Sequence, residues 1–195
     1  DHPRDYNGGK GTLNRVMANP KNAKRYAHLK DAEGHWTVRD DVFVRFRNRQ
    51  GVMAGGLSIG FTGYGSENNR HHIGPELQIG HQLGDTIGTP VLLIKTAWGG
   101  KSLHTDFRPP SAGPYKLNEW QLKNYPKQEG HGIPKDFAKW KVDKKAATGH
   151  YYRLMINHIN FVLSDIGRVC PNYKSGDSYE VAGFVWFQGF NDMVN

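Results

Sequence analysis

Cysteine is almost absent from this chain: Cys170 stands alone in 195 residues, which excludes an internal disulfide. It precedes Pro171 in a turn-rich stretch with no nearby histidine or second cysteine, so a quiet structural thiol is expected there. Long apolar runs are missing as well. The longest, Val181 to Phe187, is far short of the roughly 20 residues that cross a bilayer and suits a buried strand, so no membrane span is expected. Metal-ligand spacing is lacking: His71-His72, His150 and His158 have no cysteine or carboxylate company, and neither a metal nor another cofactor is expected. Acidic residues are few beside basic ones, 18 against 26, giving a formal net charge of +8. The basic residues are nevertheless scattered, with Lys21, Lys24 and Arg25, then Arg45, Arg47 and Arg49, then Lys139, Lys141, Lys144 and Lys145. None of these groups forms a nucleic-acid recognition motif, and Arg45, Arg47 and Arg49 have the spacing of one solvated strand face. The charge therefore reads as solubility or attraction for an acidic substrate or polymer, with no nucleic-acid partner.

A phosphate-binding loop is also lacking. The stretch "VLLIKTAWGGKSL" (91–103) ends in Gly100-Lys101-Ser102, the second half of G-x-x-x-x-G-K-[ST]. Lys95 stands where the first glycine must let the chain curl around the phosphates, and a long side chain there removes the geometric basis of the motif.

What is present is enough for one globular domain over residues 1–195: 37% hydrophobic and 23% charged residues, with Trp 5, Tyr 9 and Phe 9. Residues 1–37 are polar and punctuated by Gly, Asn and Pro, a surface excursion with a short helix near Asn22 to Leu29. "DVFVRF" (41–46) alternates Val42, Val44 and Phe46 against Asp41, Phe43 and Arg45 and predicts a strand; "VMAGGLSIGF" follows a turn as a second extended piece. "IGPELQIGHQLGDTIG" (73–88) predicts a helix with Pro75 and Glu76 in its first turn, an inward stripe of Leu77, Gly80, Leu83 and Ile87, and a stop at Gly88. "PVLLIKTAW" reads as a strand buried on both faces of a parallel sheet. Residues 104–147 show little regular pattern and read as a surface insertion. "YYRLMINHINFVLSDI" (151–166) has a helical core stripe, and "YEVAGFVWFQG" (179–189) reads as a second buried strand. Strand, helical crossover, strand is the grammar of an α/β sheet.

Ligands of such sheets sit at the carboxyl ends of the strands, where "AWGGKS" and "QGFND" should open. Gly99 and Gly100 can bring bare N–H groups close to a substrate, and Gln188 and Asn191 carry neutral amide donors. Donors converging on one point suit the oxyanion of acyl transfer. The same residues also suit a tight turn and a cap of the next element, and spacing alone leaves both open.

"GFND" (189–192) matches the G-x-N-D block of SGNH hydrolases, and "VWFQGFND" resembles the V-W-x-Q-G-E-x-D stretch of its sialate O-acetylesterase and carbohydrate acetylesterase branch. "IGPELQIGHQLG", "LLIKTAWGGKSL" and "DFRPP" (106–110) resemble the same branch in its usual order. The resemblance covers about residues 55–110 and 150–192. It implies a flavodoxin-like three-layer α/β/α domain with a parallel sheet, and a metal-free serine esterase that removes O-acetyl groups from sialate or from polysaccharides such as xylan. It carries the oxyanion site over to Gly100 and to an amide, Gln188 by the carbohydrate-esterase pattern or Asn191 by G-x-N-D. Gln188 is favoured because it should end a strand. Phe190 departs from the glutamate usual in that branch. A secreted or periplasmic location follows by the same analogy.

No G-[QD]-S-[NL] nucleophile block occurs, and no Asp-x-x-His block follows "NDMVN". The expectation is therefore a domain incomplete at both ends, lacking its triad and inactive as this chain alone. Ser58 in "GLSIG" fits the G-x-S-x-G nucleophile elbow, but glycine-rich sequence follows where the elbow needs a helix. His104 with Asp106 could share a face of an extended run, though Asp106 opens "DFRPP", read as a structural or substrate-side loop. The alternative function is a non-catalytic carbohydrate-binding or interaction module, with Trp98, Trp186, Phe187 and Phe190 stacking on sugar rings.

Overall fold

The computed structural model describes residues 11–63, 70–127 and 136–194. The chain divides into two compact units, Asp1–Ala97 with Val162–Asp177 and Trp98–Phe161 with Ser178–Asn195. Residues 1–10 of the N-terminal excursion, 64–69 after the Ser58 stretch and 128–135 of the 104–147 insertion lie outside the described residues.

The first unit is mixed α/β. Helices α1 (Leu13–Met17) and α2 (Pro20–Tyr26) begin at Thr12 and Asn19, whose side chains accept from the N–H groups of Arg15 and Lys21. Strand β1 (Val42–Arg47) is central, with β2 (Val52–Gly56) antiparallel on one side and β3 (Val91–Thr96) parallel on the other. The register runs from Phe43 opposite Gly56 to Arg47 opposite Val52, and from Val42 opposite Val91 to Arg47 opposite Thr96. Asn48 builds the β1–β2 turn by accepting from the N–H groups of Gln50 and Gly51. The alternation of β1 works as read: Val42, Val44 and Phe46 are fully buried in one cluster, while Phe43 packs on the other face with Val162, Ile166, Val169 and Cys170. Arg45 and Arg47 are half-buried rather than on a fully solvated face, because β1 is flanked on both sides.

Helix α3 (Pro75–Thr86) begins and ends within two residues of its predicted bounds, with Gly74 before it and Ile87 closing it. A Cβ on Gly80 would lie 2.3 Å from Leu57 Cδ2 and 3.1 Å from Leu93 Cδ1, so the missing side chain lets α3 sit down on the sheet. At the N-terminal end of α3, Glu76 is buried and bonded at 2.6 Å to Lys95 Nζ, which also donates at 2.5 Å to the carbonyl of Phe61. Lys95, which excluded the phosphate loop, is thus a half-buried cation held by a carboxylate, a carbonyl and the face of Phe46 at 4.6 Å. Cys170 is buried, and burial pushes its thiol up to about 11, which keeps it protonated at neutral pH.

Two expectations for the sheet are corrected. It is mixed rather than parallel, and β3 is half-exposed along its length because it is an edge strand of three. Residues 178–189 form no strand: Val181, Phe184, Val185 and Phe187 are 71%, 67%, 70% and 90% exposed. β-propensity cannot make a strand without a ladder, and this segment pairs with none among the described residues.

The second unit is helical. The 104–147 stretch, read as irregular, contains α4 (Glu119–Asn124) and α5 (Phe137–Ala147). Asn118 and Gln121 form a reciprocal capping box on α4, and Asp136 caps α5 through the N–H of Lys139. Neither helix buries a residue, so the apolar stripe that reveals a helix in sequence is weak. Aromatic contacts hold them instead, with Tyr125 edge-on to Trp140 at 5.2 Å and Phe137 stacked on Trp140 at 6.0 Å. Helix α6 (His150–Leu163) forms over the predicted stretch, but of its expected stripe of Tyr152, Met155, Ile156, Ile159, Leu163 and Ile166 only Met155 is buried within the helix. The buried line runs on through His158 and Val162, and Ile166 is buried in the turn beyond. The short α7 (Phe190–Val194) ends the described chain.

Candidate functional site

The candidate site lies in the second unit, where the loop from Trp98 to Arg108 meets the segment Gln188–Asp192. Gly100 turns the loop with φ +72°, a conformation that L side chains resist, and the space a Cβ would occupy is open, with no atom within 4 Å. Beyond it, Asp106 accepts from Ser102 N–H at 3.0 Å and Ser102 Oγ at 3.3 Å, and Ser102 Oγ accepts from Thr105 N–H at 3.2 Å. Buried Ser102 is therefore committed to the turn. Asp106 also receives Tyr151 N–H on its backbone carbonyl at 3.0 Å, which ties the loop to the first turn of α6. Arg108 stitches the "DFRPP" stretch by donating to the carbonyls of His104, Ala112 and Gly113.

The two loops named from sequence do come together. Gln188 Nε2 donates to the Lys101 carbonyl at 3.1 Å, and Asn191 Nδ2 donates to the same oxygen at 3.3 Å. Two neutral amides thus converge on one carbonyl oxygen one residue after Gly100. They are not equivalent. Gln188 also donates at 2.5 Å to Asp192 Oδ2, which uses both of its amide hydrogens, whereas Asn191 keeps one. The N–H of Gly100 donates to no other group among the described residues. The preference for Gln188 at a strand end is corrected on this point: no strand precedes it, and its side chain is fixed by hydrogen bonds instead.

No family model, curated protein or solved structure matches the chain. The site is therefore read from its own chemistry.

Asp192 is the residue that sequence reasoning passed over. Its carboxylate receives Leu103 N–H at 2.9 Å, His104 N–H at 2.8 Å and the Gln188 amide. Desolvation pulls its pKa upward, but the N–H groups of Leu103 and His104, then the Gln188 amide and the His104 charge, outweigh that and hold it below the ordinary carboxylate value. It is an anionic clamp that fixes the 101–104 loop and orients Gln188. The signal was the last letter of "GFND", whose partner backbone no local pattern could supply.

The other candidates separate. Ser58 is buried, and the chain turns at 59–60 where the nucleophile elbow requires a helix. His104 and Asp106 do not pair: the imidazole of His104 lies edge-on to Tyr115 at 5.0 Å, while Asp106 holds Ser102 and faces Lys101 Nζ at 3.9 Å. Asp31, Glu33 and His35 bring ligand atoms within 4.8 Å of one another, but all three are exposed, and such surface groupings are common without an ion.

Beside the amides is an apolar pocket of about 300 Å³ whose walls include Leu103, Phe107, Tyr152, Met155, Phe184 and Trp186. Phe107 lies edge-on to Trp186 at 5.2 Å, and Phe184 lies 5.8 Å from the same indole. Trp98 packs edge-on to Tyr151 at 5.2 Å, and Lys101 Nζ lies 4.5 Å over the Tyr151 ring. Phe187 and Phe190, by contrast, are 90% and 70% exposed.

Proposed function

We propose that this chain carries the oxyanion-binding part of an SGNH-type serine esterase, a three-layer α/β/α enzyme that removes O-acetyl groups from carbohydrates outside the cytoplasm. The observation that carries the reading is the convergence of the Gln188 and Asn191 amides on one carbonyl oxygen beside the open turn at Gly100. Uncharged donors fixed in advance stabilise an oxygen that gains charge as an ester carbonyl is attacked, without the reorganisation that water would need. In this arrangement Asn191 Nδ2 and the Gly100 N–H are the donors left for a substrate oxygen. Asp192 positions the loop that bears them. The nucleophile and base are assigned to no residue of this chain, since Ser58 lacks its elbow and Ser102 is committed to Asp106.

Acetate release from acetylated xylan and from O-acetylated sialic acid by the native protein tests the reading, and release from neither rejects it. A second reading, a carbohydrate-binding module, is favoured by the exposed rings of Phe187 and Phe190, which are free to stack on sugars. Glycan binding without any hydrolysis would select it.

A further inference from the structure

The pocket beside the amides bears on the acid half of the ester. Its walls are wholly apolar, which is wrong for a sugar ring, because a bound sugar needs polar partners for its hydroxyls. Its volume, about 300 Å³, is also poorly matched to an acetyl group, whose single methyl would leave most of it empty. An apolar protein cavity of about 150 Å³ holds one benzene. The groove here is not enclosed, since Leu103, Phe184 and Trp186 are 45%, 67% and 37% exposed, so a ring seated in it has an open side through which a short chain can lead out.

The aromatic walls offer both edges and faces. Phe107 meets Trp186 at an interplanar angle of 89°, and Phe184 is tilted by 42° to the same indole. A flat ring lying against this already packed trio finds the edge-to-face and offset contacts that aromatic groups prefer. The pocket and the amides also share one loop: Leu103 lines the pocket, while its own N–H is held at 2.9 Å by the carboxylate that orients Gln188. The groove and the amide pair are thus joined through Leu103 and Asp192.

We infer that this pocket binds an aromatic ring, and that the enzyme accepts an aryl-bearing acyl group such as 3-phenylpropanoyl in addition to acetyl. The acyl role rests on the esterase reading; the ring binding does not. The test is saturation-transfer NMR on the native protein with 3-phenylpropanamide, which cannot be hydrolysed under the conditions, against acetamide. Saturation should reach the ring protons of the first ligand and not the methyl of the second. Leu103→Trp, which fills the pocket from a 45% exposed position, and Phe184→Ala, at a 67% exposed position, should each weaken binding at least tenfold while the fold persists. No transfer to the ring, or binding unchanged in both variants, overturns the inference. Hydrolysis of ethyl 3-phenylpropanoate and ethyl acetate, followed by pH-stat, separates the two claims. Ring binding with neither ester cleaved rejects the esterase and keeps the pocket; cleavage of ethyl acetate with no ring binding does the reverse.

Discussion

Replacing each amide in turn should show that the two donors are unequal. Gln188 spends both amide hydrogens inside the protein, on the Lys101 carbonyl at 3.1 Å and on Asp192 at 2.5 Å, whereas Asn191 spends one at 3.3 Å. Only Asn191 can donate to a substrate without first breaking an internal bond. Loss of one oxyanion donor typically lowers kcat by about 10²–10³, equivalent to roughly 2.7–4 kcal/mol. Asn191→Ala should therefore lower kcat for acetate release by that amount with KM little changed, since the bond tightens only as the oxygen gains charge. Gln188→Ala should act indirectly, through a looser Asp192 clamp, with a loss about tenfold smaller in kcat. Initial rates on an acetylated xylan oligomer, with circular dichroism to verify folding, measure both. A larger kcat loss in folded Gln188→Ala than in Asn191→Ala would refute the assignment.

Three further outcomes follow from the same geometry. Glu76→Ala strands the Lys95 ammonium among Phe61, Phe46 and the sheet, and breaking such a buried pair costs about 3–5 kcal/mol in denaturant unfolding; Glu76→Leu with Lys95→Met should recover most of that, and a single-variant loss under about 1 kcal/mol would contradict it. Because its pKa is depressed, Asp192 remains an anionic clamp through neutral pH down to the ordinary carboxylate value of 3.8, and the clamp weakens as pH falls below that; the protection of the Leu103 and His104 amides, taken against their intrinsic exchange at each pH, should fall there, and Asp192→Asn should flatten the profile. Gly80→Ala drives a Cβ to 2.3 Å from fully buried Leu57, an overpacking cost of about 1–3 kcal/mol that exceeds the gain of roughly 1 kcal/mol in helix propensity; unchanged or raised stability would contradict the close packing of α3.

What could be read from sequence was what local periodicity dictates. The alternation of β1, the Pro75 start and Gly80 contact of α3, and the existence and span of α6 each rest on a pattern within one element, so the letters carry them, though the buried line of α6 runs through His158 and Val162 rather than Ile159 and Leu163. What could not be read depends on partners distant in the chain. Residues 179–189 have strand composition without a ladder, and α5 is held by Tyr125 and Trp140 contacts rather than by an apolar stripe. The meeting of "AWGGKS" with "QGFND" was expected from strand ends, yet only "AWGGKS" follows a strand, and hydrogen bonds to the Lys101 carbonyl and the 103–104 backbone join the two segments instead. The Lys101 carbonyl that Gln188 and Asn191 share, and the Leu103 and His104 N–H groups that Asp192 accepts, lie nearly ninety residues away and have no local signature.

The most direct test of the esterase account is fluorophosphonate labelling of the native protein, followed by peptide mapping and repeated with an Asn191→Ala variant. The account predicts a single labelled serine other than Ser58 or Ser102, with labelling markedly slower in the variant because the phosphoryl oxygen occupies the same donor site. Label on Ser58 or Ser102, or no labelled serine at all, would contradict it.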